Sequence, residues 1–341
     1  MISRRQALLV PLAALPAAAV AGAVPAAAAE TVPGGPWVQE NQPVVLAGMT
    51  DNSQLVAELQ RLAARRPDTV RLTEIGRSLE DRPIYRVSVG SGPRTLMVVT
   101  QQHGDEPVGT EAALQLLTHV SGPSREASAL REQVTLEVVP RVNPDGFERW
   151  LDPESYPGED PRRNAANLDL NREYDPAVPV SADAPEAAAV RALVDQVQPD
   201  LVLDYHHQVS YVTDAGEQVT MSVLWATVGG VEPSVVDDGR RAAVVVAEAL
   251  EDFGHATVTR YPESTTRSVA RNGLALAGTP ALLIEQRGQY EVGQKSLGAF
   301  TREALVAMEA VLESLADGSF DEVDPADADL LPERGDRDRQ R

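Results

Sequence analysis

The chain has 341 residues, with 51 acidic against 30 basic side chains, a formal net charge of −21 and no cysteine. Such an acidic surface repels phosphate backbones and anionic membranes, which excludes nucleic acid as the expected partner. Without cysteine there is no disulfide framework, no thiolate metal site and no cysteine nucleophile, so any metal has to be held by His, Asp or Glu.

Residues 1–29 have a short basic start, an Ala-rich apolar run and small residues of the A-x-A kind before Glu30, the pattern of an export signal. Pro11 and Pro16 interrupt the run, which argues against stable membrane insertion. The pair Arg4-Arg5 resembles a twin-arginine signal, so the expected location is secreted or cell-envelope. Residues 30–50 read as an extended lead-in, rich in Pro and Gly.

A helix is predicted over SQLVAELQRLAARR, capped by Asp51 or Asn52 and ended by Pro67. VRLTEIG and PIYRVSVG alternate as a strand pair, and RTLMVVT, residues 94–100, reads as a central strand. EAALQLLTHV, EAAAVRALVDQV, SVVDDGRRAAVVVAEALEDF and TREALVAMEAVLESLA are predicted helices; VTLEVVP, LVLDYHH and TPALLIEQR are predicted strands. The expected fold class is α/β, a mixed, mostly parallel central sheet with helices on both faces. One domain is expected over residues 51–316, followed by a charge-dense disordered tail, 317–341.

Five histidines are present, so each can be weighed. His103 stands just past an apolar strand, with Glu106 three residues on across a Gly-containing turn, and His206 ends a second apolar strand. Two histidines and a carboxylate make a zinc site with an open coordination position. Glu285 ends a third apolar strand. In open α/β sheets ligands bind beyond the carboxyl ends of the strands, so these residues are expected at one edge. His207 alternates away from His206 and is expected to be structural, while His119 and His255 read as surface or packing residues. The same donors also bind Fe(II), as in non-haem oxygenases; the alternation of strands and helices favours zinc.

The segments GRSLEDRPIYRVSVG, QQHGDEP, RVNPDGFE, RRNAANLDLNRE, LDYHHQ and LLIEQRGQY resemble, in order, motifs of the carboxypeptidase A-like zinc metallocarboxypeptidases. The resemblance covers most of residues 51–315 and implies one zinc on His103, Glu106 and His206, with Glu285 as general base. It implies Arg162 as the arginine that polarises the scissile carbonyl, with adjacent Arg163 as the alternative. Asn171 and Arg172 would clamp the terminal carboxylate of a peptide substrate with a free C-terminus, and Tyr261 would be the mobile-loop tyrosine. The family's glycine before Arg82 is Asp81 here, and the residue after the third ligand is His207. Arg267 and Arg271 fall where the side-chain pocket would be lined, and a cation there would favour an acidic terminal residue. A zinc endopeptidase or deacylase of the same fold, acting on cell-wall peptides or acylated amino acids, would share the ligands without needing the clamp.

Overall fold

The computed structural model describes residues 49–254, 256–287 and 297–337. The predicted signal peptide, most of the lead-in, His255 and residues 288–296 lie outside the described residues. Helix α1 (Asn52–Arg65) is capped by Asp51, whose carboxylate accepts the Gln54 N–H while the Gln54 side chain accepts the Asp51 N–H. The hairpin β1 (Val70–Arg77) and β2 (Pro83–Gly90) follows, then β3 (Arg94–Thr100). After these come α2 (Val108–Val120), α3 (Arg125–Gln133), β4 (Val134–Val139), α4 (Pro144–Leu151) and α5 (Pro185–Val197). The second half contributes β5 (Leu201–Gln208), β6 (Tyr211–Val212), β7 (Gln218–Val219), β8 (Met221–Leu224), α6 (Pro233–Phe253) and β9 (Val258–Arg260). It closes with α7 (Ala270–Leu276), β10 (Ala281–Arg287) and α8 (Leu297–Asp317).

Eight strands form one sheet in the order β1-β2-β4-β3-β5-β10-β8-β9. Its centre, β4-β3-β5-β10, is parallel throughout. The β1–β2, β2–β4 and β10–β8 pairs are antiparallel, and β8–β9 is parallel. The sheet is thus mixed with a parallel core, as expected. Alternation along the strands feeds two apolar layers. Leu96 and Val98 of β3 pack with α1, α2, α6 and α8, while Met97 and Val99 pack with α5 and α7 on the other face.

One topological detail positions the site. From β3 the chain steps outward to β4 on one side, then returns to place β5 on the other side of β3. The space past the carboxyl ends of β3 and β5 is therefore a switch point, where loops leave in opposite directions and open a crevice.

The tail corrects the sequence reading. Far from being disordered, residues 319–337 pack onto the domain. Two 3-10 turns, Ser319–Glu322 and Pro325–Leu330, bury Phe320 and Ala328 against the core. Their acidic groups meet arginines of the sheet and α6: Arg94 donates to Asp321 at 2.9 Å, and Arg240 pairs with Asp329. Arg240 and Arg241 also donate to the carbonyls of Pro325 and Val323. Glu333 then bridges Arg260 beside β9, and Arg337 bridges Tyr211. The high charge density that suggested disorder is matched by complementary charge on the surface beneath, and two small apolar anchors suffice to seat it.

Leu203 lies at the centre of β5, fully buried between two paired strands. Leu203→Ala is expected to cost about 2–5 kcal/mol, read as a lower midpoint in urea with an unchanged slope.

Candidate metal centre and catalytic site

Past the end of β3 the backbone turns sharply, with Gln101 at φ +57°. The Gln101 side chain holds the turn: its Oε1 accepts from Arg141 at 2.7 Å and Thr110 at 2.8 Å, and its Nε2 donates to the Gly104 carbonyl at 2.7 Å. Within the turn the Glu106 N–H donates to the His103 carbonyl. Gly104 is required by contact: a Cβ there would stand 2.1 Å from the Gly146 carbonyl carbon in α4. The glycine of the HGDE segment thus lies against the glycine of the NPDG segment. Asn143 caps α4 through the Gly146 N–H, and Asp145 binds Arg82 and Ser78, each at 2.6 Å. Asp81, in place of the expected glycine, has a left-handed φ of +61°.

His103, Glu106 and His206 converge, all buried, with donor atoms within 4.8 Å of one another. The His103 Nδ1 is 2.9 Å from one Glu106 oxygen and the His206 Nδ1 is 2.9 Å from the other. The opposite nitrogens face carboxylates: His103 Nε2 is 3.1 Å from Asp169, and His206 Nε2 is 3.0 Å from Asp204. A carboxylate behind each imidazole sets the tautomer, with Nε2 protonated and Nδ1 free to ligate. Two such imidazoles and one carboxylate fit the donor set of a catalytic zinc.

The charges follow from burial and pairing. Burial pushes the Glu106 carboxyl up, but His103 and His206 outweigh it and hold it well below the usual range. Burial pushes both histidines down; Glu106 and Asp169 raise His103 on balance, and Asp204 and Glu106 raise His206 well above its ordinary value. For His207 burial outweighs the pull of Glu106 and drives it down to about 4. It is neutral, and its Nε2 accepts the Val108 N–H at the start of α2. His207 is structural, as expected, and His119 is a surface residue paired with Glu309.

Glu285 of β10 stands directly opposite His206 of β5 in the parallel register. Burial lifts its carboxyl to about 7, against the pull of His206. Arg162 reaches the same point, its Nη1 3.0 Å from His103 Nδ1 and 3.3 Å from Glu106, its Nη2 3.2 Å from Asp169. Arg163 turns away to Asp160 and the Asn167 carbonyl. Of the adjacent pair, Arg162 alone is at the centre.

Asn171 is buried, its Nδ2 3.2 Å from His206 Nε2 and its Oδ1 accepting the Ala270 N–H at 2.7 Å. Its amide oxygen therefore ties α7 to the Asn171–Arg172 segment beside His206. Arg172 is 48 % exposed and donates to the Asn171 carbonyl at 2.6 Å. Tyr261 follows β9, with the guanidinium of Arg334 4.4 Å and that of Arg271 6.0 Å from its ring centre. Arg267 is exposed and paired through two bonds with Asp175, so the structure does not bring it to the site.

Sequence reasoning assigned no role to Asp169 or Asp204. Each was visible in a quoted segment, and Asp204 could have been found by alternation, since it lies two residues before His206 on the same face of β5. A separate cleft lies elsewhere, between α2, α3 and α8 around His119 and Leu130, and holds no such convergence.

A His–Glu–His donor set at the switch point of an α/β sheet is a candidate site for a metal ion. Residues 55–214, which carry all three donors, match the model of the zinc carboxypeptidase family. Mouse carboxypeptidase D is 30% identical over 175 residues, 47% of this chain and 13% of that relative. Mouse carboxypeptidase M is 30% identical over 183 residues, 49% of this chain and 41% of the relative. The chain thus spans less than half the length of these curated relatives. The solved metallo-carboxypeptidase from Burkholderia cenocepacia has the same fold, with a TM-score of 0.61 at 20% identity over 78% of this chain and 69% of that one.

Two outcomes are expected. Gly104→Ala, by forcing the His103–Glu106 turn off the α4 backbone, lowers zinc retained after dialysis to well below one per chain; full retention would refute the contact argument. Because both imidazoles hold protons above the ordinary histidine range, and ligation needs them neutral, zinc affinity rises as pH rises through the neutral region. Calorimetry at pH 7 in buffers of different ionisation enthalpy is expected to show proton release on binding.

Proposed function

We propose that the protein is an exported zinc metallocarboxypeptidase that hydrolyses the C-terminal peptide bond of its substrate. The observation that carries this reading is the β5–β10 register, which sets a partly buried carboxyl, Glu285, opposite the ligand His206 at the edge where His103 and Glu106 converge. Zinc held by His103, Glu106 and His206 would supply a Lewis acid and lower the pKa of a water toward about 7.

The chain's own residues do the rest. The Glu285 carboxylate takes a proton from the attacking water and passes it to the nitrogen of the leaving amine. Its carboxyl, lifted by burial to about 7, suits both halves of that transfer. The Arg162 guanidinium donates to the scissile carbonyl oxygen as negative charge develops there, a contribution of about 3–4 kcal/mol per donor. Arg172, half-exposed beside the site, receives the terminal carboxylate in two-point fashion, with Asn171 fixing its backbone relative to His206. Tyr261 covers the substrate from the β9 side. The leader-like residues 1–29 support export. No helix among the described residues is long and apolar enough to cross a membrane.

Glu285→Gln is expected to keep zinc and fold yet lower kcat by about three orders of magnitude or more, as for loss of a general base in a unit that acts together. In the parent enzyme kcat/KM falls on the acid side as Glu285 protonates, with the limb at or below about 7 because a bound cation lowers that carboxyl. Peptides with a free C-terminus are cut one residue at a time and amidated ones are not. Cleavage of amidated peptides at equal rates would point to an endopeptidase or deacylase instead.

A further inference from the structure

Arg271 is an arginine in an unusual position. It is 4 % exposed, and among the described residues neither its Nε nor its Nη2 has a hydrogen-bond partner. Leaving a guanidinium buried and unpaired is costly, and such a group persists where an anion from outside completes it. Its placement is rigid. The preceding residue, Ala270, gives its N–H to Asn171, and Gly273 packs so closely on Tyr174 that a Cβ would stand 2.0 Å from the Tyr174 carbonyl oxygen. Helix α7 is therefore clamped to the segment that carries Asn171 and Arg172.

Among the described residues, the anions near Arg271 are committed elsewhere. Its charged neighbours are Tyr261, Glu285 and Asp204, with Arg172 opposing, and burial lowers its pKa from the ordinary arginine value. Asp204 binds Gln102 through one oxygen and faces His206 with the other. Glu285 has to remain free for the proton. Arg267 is already paired with Asp175 and offers nothing. A second cation, Arg334, stacks on Tyr261 and Tyr211 and donates to Gln208 at 3.2 Å, two residues beyond His206. In a chain of net charge −21, this corner is locally cationic.

We infer that Arg271 is the specificity-determining residue of the pocket and that it reads an acidic side chain, aspartate or glutamate, on the C-terminal residue of the substrate. This rests on the carboxypeptidase reading above and names the substrate class of that site. Arg172 holds the terminal α-carboxylate at the rim, and Arg271 meets the second carboxylate deeper, where desolvation strengthens the pair. An apolar terminal residue leaves the guanidinium unpaired, and a lysine adds like-charge repulsion.

The test uses the zinc-loaded full chain with hippuryl-glutamate, hippuryl-phenylalanine and hippuryl-lysine. The unaltered enzyme is expected to favour glutamate over phenylalanine in kcat/KM by about tenfold or more, since a site built for a polar group penalises its absence. Arg271→Gln is expected to reduce that ratio at least tenfold, and Arg271→Glu to turn the preference toward lysine. Binding of the same three compounds to Glu285→Gln, with and without Arg271→Gln, follows the pocket independently of turnover. Glutamate-selective binding with no hydrolysis would keep the pocket and overturn the carboxypeptidase reading. Preference of the unaltered chain for phenylalanine or lysine overturns the inference whether or not the variants fold. An equal fall on all three substrates in Arg271→Gln overturns it too, since that marks a terminal-carboxylate or purely structural role.

Discussion

The pairing of β5 with β10 is the constraint on which the rest of the site depends. β5 is buried along its whole length, and its alternation sends Asp204 and His206 to one face and Tyr205 and His207 to the other. A slip of one residue would replace the ligand by its neighbour, which already accepts the α2 N–H, and would move the supporting carboxylate to the wrong side. The apolar residues Leu201, Leu203 and Tyr205 on the helix-covered face hold that register, because exposing them is far less favourable than keeping them packed. Packing on one side of the strand thus decides the chemistry on the other.

The second theme is how five carboxylates and an arginine share a small buried volume. Glu106 faces both imidazoles, Asp169 and Asp204 stand behind them, and Asp105 and Glu285 are the two lifted toward neutrality by burial. His103 and His206 hold Glu106 low, and His103, Arg162 and Arg172 hold Asp169 low, while for Asp105 and Glu285 burial outweighs the pull of His103 and Arg162. Burial pushes Glu106, Asp169, Asp105 and Glu285 in the same direction, and pairing decides which of them are held low.

The parallel core of the sheet and the convergence of His103, Glu106 and His206 were legible because long apolar strands ending in His or Glu are a strong local signal, and the terminal edge of such strands is a fixed place in this fold class. The strands β8 and β9 were not read at all: MSVL and VTR are too short for periodicity, and they pair only because β10 offers an edge. Spacing could not separate Arg162 from Arg163, since neighbours leave a loop in different directions for reasons set by Asp160 and Asp169. Asp169 was passed over because a carboxylate behind a histidine 66 residues away carries no local pattern. The tail was misread because composition counts charges without knowing what lies opposite them.

The contact between Arg334 and Tyr261 has a temporal side. The residue that flanks Tyr261 on the β9 edge bridges to Glu333, 73 positions further along the chain. A polypeptide emerging from its amino end presents His103, Glu106 and His206 long before Glu333 and Arg334, so the corner around Tyr261 closes last and the candidate site is framed in full only once the downstream segment has docked.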